Sequence, residues 1–312
     1  MINKSKFTYQ SRDGIHNIMA YKWHEDSVPV RGIIQIVHGM QEHMERYDEF
    51  ASFLCSNGFI VVGNDHLGHG LSAGEDEYGY FCTKDARTVV TRDVHRLKKM
   101  ITKEYPGLPC FLLGHSMGSF ILRNYLTMYG TGIDGAIICG TGFKPAIVTS
   151  LGKFTATFTG LFSKGKNYSR FIEKTAFGSY NKRFKEENNP SSWVVRNEDV
   201  MSVYKNDPLC TFRFTTNGFH TLFSLLGHVD RQKNINTVPA ELPVLFLAGS
   251  NDPVGNYGKG VTEVYNRFKK AGINDVSLKI YPDMRHEILN DIDRKMVYSD
   301  ILDWINEHFP NC

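Results

Sequence analysis

The sequence predicts an α/β fold with a mostly parallel central sheet, helices on both faces of the sheet and a helical insertion. Short, nearly continuous apolar runs alternate along the chain with stretches whose apolar residues recur at helical spacing. This alternation is typical of parallel strands that are covered by helices. The alternation stops after Gly142 and resumes near Leu242, which indicates an insertion between two strands of the sheet.

The elements follow one another in a regular order. The chain opens with an antiparallel hairpin, in which the runs 7–10 and 17–22 flank a turn at Arg12-Asp13-Gly14. Further strands are predicted at 32–37, 59–63, 110–113, 135–139, 242–249 and 276–281. Helices are predicted over 46–57, 86–104, from 120 onward, and over 258–271 and 296–309.

The insertion divides the chain into two expected domains. Residues 1–143 and 237–312 are predicted to form the α/β core, and residues 144–236 a helical cap. The cap sequence is rich in Phe and Leu, which are too numerous for a connecting loop. Some of these side chains are expected to form the cap's own core, and a subset to line an apolar pocket.

Bulk properties exclude several classes of protein. A net charge of +3 is too small to indicate nucleic-acid binding, and the sequence has no apolar stretch long enough to span a bilayer. Because residues 1–6 contain no apolar h-region, no signal peptide is expected. There is no G-x-G-x-x-G or P-loop, so no nucleotide cofactor is expected. The six cysteines lack paired spacing, which favours free thiols, no metal knuckle and a cytoplasmic location; they are Cys55, Cys82, Cys110, Cys139, Cys210 and Cys312.

One stretch carries the strongest chemical signal. Gly114-His115-Ser116-Met117-Gly118 matches G-x-S-x-G, with a predicted strand before it and a predicted helix after it. In that context the pattern is a nucleophile elbow, whose sharp turn requires small residues on either side of the serine. Ser116 is therefore the predicted nucleophile, and the alternative is a Gly/Ser-rich turn without chemistry.

A serine nucleophile needs a base and a carboxylate that orients the base. Asp252 and His286 each follow a predicted strand end, where working residues of open α/β sheets lie. The chain order Ser, Asp, His is the one that G-x-S-x-G hydrolases use. Asp65 competes as the acid but precedes the nucleophile, and Asp283 is too close in the chain to His286.

The loop after the third strand begins with His38-Gly39-Met40. In hydrolases with this motif, one oxyanion N–H comes from that loop and the other from the residue after the nucleophile. The backbone amides of Met40 and Met117 are the resulting candidates, and the alternative is a simple tight turn. The Gly-rich segment 65–70 contains two His and one Asp, but a structural loop is favoured there over a metal site.

Several motifs together resemble the monoacylglycerol lipase and lysophospholipase branch of the α/β-hydrolases: His38-Gly39-Met40-Gln41-Glu42-His43, Asp65-His66-Leu67-Gly68-His69-Gly70-Leu71-Ser72, the Ser116 motif, Asn206-Asp207-Pro208-Leu209 and Asp252-Pro253-Val254. The resemblance spans nearly the whole chain. It implies a carboxylic-ester hydrolase with Ser116, Asp252 and His286 as its triad and residues 144–236 as its cap. Ser119 stands where the family usually has a further glycine.

The expected function is hydrolysis of acyl esters, such as monoacylglycerols or lysophospholipids, through an acyl-enzyme at Ser116. The expected partner is a small-molecule ester, with no cofactor and with transient contact between the cap and a lipid surface. Two alternatives stay open at this point. One is a peptidase or amidase with the same triad, and the other is a non-catalytic binding protein on a hydrolase scaffold.

Overall fold

The computed structural model describes residues 1–310 and contains one eight-stranded sheet. Its strands are β1 (Ile2–Gln10), β2 (Asn17–Glu25), β3 (Gly32–Val37), β4 (Phe59–Asn64), β5 (Cys110–His115), β6 (Gly135–Cys139), β7 (Val244–Gly249) and β8 (Val276–Tyr281). The order across the sheet is β1-β2-β4-β3-β5-β6-β7-β8. β2 pairs antiparallel with β1 and with β4, and the other neighbouring strands pair parallel. The predicted fold class is confirmed.

Helices connect the strands and cover the sheet. They are α1 (Asp48–Ser56), α2 (Ala86–Glu104), α3 (Met117–Tyr129), α4 (Ala146–Gly160), α5 (Arg170–Phe177), α6 (Glu198–Asn206), α7 (Thr216–Val229), α8 (Gln232–Ile235), α9 (Lys259–Lys270) and α10 (Arg294–His308). Short 3-10 segments occur at Met44–Tyr47, Gly70–Ser72, Gly130–Gly132 and Tyr180–Glu187. No helix within residues 1–310 is both long enough and apolar enough to cross a membrane.

The first helix differs from the predicted one. Helical periodicity predicts a single helix over 46–57, whereas the structure has a 3-10 turn at Met44–Tyr47 and then α1 from Asp48. The cause is a tertiary contact, because the Met44 N–H donates to the Asp65 carboxylate at 2.8 Å and fixes the chain there before the helix begins. The opening hairpin is present as predicted, with both strands longer than expected.

Apolar residues fill both faces of the sheet. Every residue of β3, β4, β5, β6 and β7 is buried, as expected for central strands of a sheet that has helices on both sides. One cluster of buried residues packs the side that contacts α2, α3 and α9, and a second packs the side that contacts α1 and α10. This burial fixes the strand ends from which the site residues project.

Helices α4 to α8 lie between β6 and β7, within residues 144–236, which we call the inter-strand segment. Its α7 packs on α3, and α4 packs on α7. The approach of α4 to α7 is close, because a Cβ at Gly152 would lie 2.8 Å from the Phe223 ring and one at Gly227 would lie 3.1 Å from Thr149 Oγ1.

Candidate active site

Ser116 occupies the turn between β5 and α3. Its backbone has φ 54° and ψ −122°, a strained conformation for a residue with a side chain. The turn leaves no space beside it, since a Cβ at Gly118 would lie 1.9 Å from Val37 O and one at Gly114 would lie 2.5 Å from Gly118 O. The two glycines of the motif are therefore required by close backbone contacts, as the sequence predicted.

His286 and Asp252 reach Ser116 from the ends of neighbouring strands. His286, after β8, places Nε2 2.7 Å from Ser116 Oγ. Asp252, after β7, places Oδ1 3.0 Å from His286 Nδ1. Asp252 has no exposed surface and His286 is 3% exposed. The structure thus brings together the three residues that the sequence singled out.

Asp65, which competes with Asp252 in the sequence as the acid of the triad, has a different role in the structure. Asp65 is buried and accepts hydrogen bonds from the N–H groups of Met44 and Leu71 and from the Tyr21 hydroxyl. Asp252 also fixes its own turn, because Oδ1 accepts the Val254 N–H at 2.8 Å. Asp65 therefore organises the loops after β3 and β4, and Asp252 is the carboxylate beside His286.

The loop after β3 packs directly on the nucleophile. A Cβ at Gly39 would lie 2.9 Å from Ser116 Cβ, so the loop backbone passes over the serine. The Gly39 N–H donates to Glu42 Oε1 and is engaged. Within the described chain, the N–H groups of Met40 and Met117 have no hydrogen-bond partner, and both residues line the cavity at Ser116.

A buried charge network, which sequence reasoning missed, surrounds these residues. Glu42 Oε1 lies 3.1 Å from His115 Nδ1 and accepts from the Tyr47 hydroxyl at 3.0 Å, and Glu42 Oε2 accepts from Arg46 at 3.1 Å. Arg46 also donates two hydrogen bonds to Glu287, at 2.8 and 2.7 Å. The network therefore touches the neighbours of both Ser116 and His286. In the sequence, the network is visible only in the adjacency of Glu287 to His286 and in the place of Glu42 in the loop after β3, where residues 41–43 could be expected to buttress that loop.

The network favours the charged forms of its members. Burial opposes ionisation of Glu42, but the hydrogen bond with His115 and the nearby charges hold the pKa of Glu42 well below its usual range. Burial likewise opposes protonation of His115, whereas Glu42 raises the pKa of that imidazole. Both His115 ring nitrogens face acceptors, Glu42 Oε1 and His286 O, as suits an imidazolium. His115 thus links the elbow to the His286 loop.

Three further histidines lie close together, His38 in the loop after β3 and His66 and His69 in the loop after β4. The rings of His38 and His66 lie 4.1 Å apart, and those of His38 and His69 5.3 Å apart. Burial lowers the pKa of His66 to about 3 and that of His69 to about 4, so both are neutral at neutral pH. His66 N–H donates to His38 Nε2 at 3.0 Å, which ties this loop to the loop after β4.

Residues of the inter-strand segment pack against the loops that carry His286 and His43. The Trp193 ring lies 5.3 Å from the His286 ring at a tilt of 42°, and Val194 O accepts the Glu287 N–H at 2.8 Å. Asp207 Oδ2 lies 2.8 Å from His43 Nε2. Through this contact the Asn206-Asp207-Pro208-Leu209 motif connects the inter-strand segment to the loop after β3.

A cavity of about 750 Å³ opens at Ser116. Ser116, His286, Met40 and Met117 line its floor. Most of its other walls come from apolar side chains of the inter-strand segment, among them Val148, Leu151, Ile172, Phe177, Leu222 and Leu226. The volume lies within the range of about 300–1,000 Å³ that is common for small-molecule sites.

The arrangement matches known proteins. The family model described as "serine aminopeptidase, S33" matches residues 28–293, which is most of the chain. The chain is 28% identical over 295 residues to a monoacylglycerol lipase of Mycolicibacterium smegmatis, covering 92% of this chain and 91% of that protein. It is 29% identical over 298 residues to a monoglyceride lipase of Homo sapiens, covering 95% and 88%.

Solved structures agree with the sequence comparisons. The structure resembles that of a thermostable carboxyl esterase from Bacillus coagulans, with a TM-score of 0.90, 31% identity and coverage of 97% of this chain and 98% of that one. Together with the family match, this confirms the resemblance found in the motifs. The chain therefore belongs to the serine aminopeptidase S33 family of α/β-hydrolases and is a serine ester hydrolase.

Proposed function

We propose that Ser116, His286 and Asp252 form the catalytic triad of this ester hydrolase. The observation that carries the proposal is the 2.7 Å separation of His286 Nε2 from Ser116 Oγ, which is the distance that proton transfer between nucleophile and base requires. Asp252, 3.0 Å from His286 Nδ1, holds the imidazole in the tautomer that leaves Nε2 free to accept a proton.

The Met40 and Met117 backbone amides are proposed as the oxyanion hole. Both N–H groups lack a hydrogen-bond partner within residues 1–310, and both residues border the cavity beside Ser116. Donors fixed before the reaction stabilise the charge that develops on the carbonyl oxygen at no reorganisation cost. The Gly39 N–H is unsuited to this role, because Glu42 already accepts it.

The reaction then follows in two steps. Ser116 Oγ attacks the ester carbonyl while His286 Nε2 takes the hydroxyl proton, and the oxyanion accepts hydrogen bonds from Met40 and Met117. Collapse expels the alcohol, which receives the proton from His286, and leaves an acyl-enzyme. Water, deprotonated by His286, attacks the acyl-enzyme, and its collapse releases the carboxylic acid and returns the proton to Ser116.

A fluorophosphonate probe tests the triad. We expect labelling at Ser116 by mass spectrometry and a fall in kcat of about three or more orders of magnitude in Ser116→Ala, with the fold intact by circular dichroism. Ser191→Ala is the matched control, because it removes a hydroxyl from the wall of the same cavity. Near-wild-type turnover in folded Ser116→Ala would refute the assignment.

The substrate class is proposed to be acyl esters such as monoacylglycerols or lysophospholipids. The support is the apolar wall of the cavity at Ser116, together with the similarity to a monoacylglycerol lipase and a monoglyceride lipase. Burying each methylene of an acyl chain contributes about 0.8 kcal/mol. A rate survey over monoacylglycerols, lysophospholipids and short-chain aryl esters measures the preference.

An aminopeptidase activity is the second candidate, favoured by the description of the family. Binding a peptide N-terminus needs a carboxylate that is available for the ammonium group. The three carboxylates that line the cavity are each paired already: Glu42 and Glu287 with Arg46, and Glu173 with Arg213. We therefore expect kcat/KM for aryl esters to exceed that for aminoacyl arylamides, and the reverse order would establish the peptidase.

The inter-strand segment, residues 144–236, is proposed as a cap over a core of residues 1–143 and 237–312, with transient contact to lipid surfaces. Support comes from the exposed apolar side chains of α4, where Ile147 is 77%, Phe154 67% and Phe158 71% exposed. A double variant that combines Phe154→Asp with Phe158→Asp should sediment less with phosphatidylcholine vesicles than the wild-type protein does. The control Ile15→Asp alters an equally exposed residue of the opening hairpin, and equal losses in both proteins would contradict a cap contact.

A cytoplasmic location is proposed for the protein. Its support is chemical: the five cysteines within residues 1–310 are buried free thiols, which suits a reducing compartment. Cys312 lies outside the described residues. Microscopy of the full chain with a C-terminal fluorescent tag tests the location, and signal confined to the cell envelope would overturn it.

A further inference from the structure

A second cavity, of about 420 Å³, lies on the other side of α4 and α7 from the cavity at Ser116. We call it the polar cavity. Its walls are the start of α2, one face of α4 and one face of α7, and the residues that matter here are Arg87, Thr149, Lys153, Ser224, His228 and Arg231. Its volume is sufficient for a small ligand.

The polar cavity has an excess of positive charge. Arg87, Lys153 and Arg231 line it against one carboxylate, that of Asp85. None of these three cations forms a salt bridge within the part of the chain that the structure describes, whereas Arg213 and Arg123 are each paired with a carboxylate. The charge is therefore available to an anion from solution.

Polar groups in the wall add hydrogen-bonding capacity. Arg87 is held in place by one hydrogen bond from Nη1 to Asn124 Oδ1, 2.7 Å, which leaves its other N–H groups free of carboxylate partners. Thr149 and Ser224 place hydroxyl-bearing side chains in the same wall.

The positive charges of the polar cavity also affect the pKa of His228, which lies in its wall. Burial first, and then the charges of Arg87, Arg231 and Lys233, lower the pKa of His228 to about 4. His228 is thus neutral at neutral pH and serves as a hydrogen-bonding group rather than a further cation. An anion bound among these side chains would favour the protonated form and raise that pKa.

We propose that the polar cavity is a binding site for a phosphate group, carried either by a soluble phosphate compound or by a lipid headgroup. Guanidinium groups bind phosphate oxygens through paired hydrogen bonds, and hydroxyls complete the coordination. Phosphate suits this wall better than a neutral ligand, because its charge offsets three cations at once.

The site is connected to the cavity at Ser116 through shared walls. Thr149 of α4 and Phe223 of α7 line both cavities. Because α4 and α7 meet through Gly152 and Gly227 without room for a Cβ, a ligand that changes their spacing on one side changes the cavity on the other. Phosphate is therefore expected to change KM for ester substrates.

The test measures binding directly and does not depend on ester hydrolysis. The full-length protein is titrated calorimetrically with inorganic phosphate at ionic strength held constant with chloride, and sedimented in parallel with vesicles of phosphatidylcholine with and without phosphatidic acid. Arg87→Gln removes the anchored guanidinium. Arg92→Gln is the matched control, since Arg92 is exposed on the same helix outside the cavity. Circular dichroism verifies that both variants are folded.

We expect saturable binding at one site, weakened about tenfold or more by Arg87→Gln and unchanged by Arg92→Gln. If Arg87→Gln loses binding to inorganic phosphate, the ligand is a soluble phosphate compound. If Arg87→Gln loses only the binding to vesicles that contain phosphatidic acid, the ligand is a lipid headgroup. NMR of the His228 ring should show a raised pKa when phosphate is bound. Binding that is non-saturable, or equally strong in Arg87→Gln in both arms, overturns the proposal.

Discussion

Arg46 and Glu287 are joined by two parallel hydrogen bonds, 2.8 and 2.7 Å long, between a helix that follows β3 and the residue next to His286. Both side chains are almost completely buried. The Arg46 guanidinium also faces Glu42 and lies 4.9 Å from the centre of the Tyr204 ring. One cation thus fixes the relative positions of the loop that carries Met40 and the loop that carries His286.

Removing this cation should be strongly destabilising. Arg46→Met leaves two buried carboxylates without their partner, and we expect the free energy of unfolding to fall by about 3–5 kcal/mol, measured by urea denaturation. Arg294→Met is the control, because its pair with Glu49 is far more exposed than the pair of Arg46 with Glu287, and it should cost about 1 kcal/mol or less. Equal costs for the two variants would show that Arg46 does not hold the loops together.

The second prediction concerns Gly118, in the turn that carries Ser116. Gly118→Ala places a Cβ 1.9 Å from Val37 O, and a backbone oxygen of a central strand cannot move away easily. We expect a loss of about 3 kcal/mol of stability and a marked fall in fluorophosphonate labelling of Ser116. Gly132→Ala, where the nearest atom is Lys98 Nζ at 3.7 Å, should behave as the wild type. Normal labelling in Gly118→Ala would mean that the turn is less constrained than these contacts require.

Much of the core could be predicted from local sequence. β6 and β8 match their predicted bounds, and so does α2, because the apolar residues of each follow one local pattern, continuous in β6, alternating in β8 and helical in α2. The order of Ser116, Asp252 and His286 after strand ends was also sufficient to select these residues, since parallel strands bring their carboxyl ends to one edge of the sheet.

Contacts between distant parts of the chain could not be predicted in this way. Arg46 and Glu287 are separated by 241 positions, and His43 and Asp207 by 164. Neither pair has a local pattern, because each residue alone is a common surface type. The late start of α1 has the same origin, since it depends on Asp65. The polar cavity likewise exists only where α2, α4 and α7 meet.

The buried carboxyl group of Asp93 should make the free energy of unfolding depend on pH. It is buried beside Ser11 and Arg12, and burial raises its pKa from 3.8 to about 6. Between pH 4 and 6 the unfolded chain loses this proton before the folded one does, so the contribution of Asp93 to stability falls as pH rises. The difference between the two pKa values corresponds to about 3 kcal/mol.

Asp93→Asn should remove that contribution, because an amide does not titrate. The stability of the variant relative to the wild type should rise by about 2 kcal/mol between pH 4 and pH 7, as measured by urea denaturation at each pH. Asp303→Asn, which alters an exposed carboxylate of α10, controls for net charge. A constant difference between Asp93→Asn and the wild type across this range would argue against a raised pKa at Asp93.

The cysteines give a prediction on reactivity. Burial raises the pKa of the Cys82 thiol to about 11, and those of Cys55 and Cys110 to about 12. Thiols in this state are poor nucleophiles, so native protein should react slowly with iodoacetamide. After denaturation without reductant, mass spectrometry should find all five described cysteines alkylated. A disulfide between any two of them would contradict this expectation and the proposed location.

The last prediction concerns the length of the acyl chain. The wall of the cavity at Ser116 is largely apolar, so kcat/KM should rise by roughly fourfold for each methylene until the cavity is filled, as expected from about 0.8 kcal/mol per methylene. Ala176 lines this cavity, and Ala176→Phe adds a ring to its wall. The variant should therefore stop gaining rate at a shorter chain than the wild type does. Ala146→Phe adds the same ring to an exposed position of α4 outside the cavity and should leave the profile unchanged. Turnover of p-nitrophenyl esters of increasing chain length gives the profile for all three proteins. If Ala176→Phe retained the wild-type profile, the acyl chain would have to bind outside this cavity, and chain-length selection could not be assigned to the inter-strand segment.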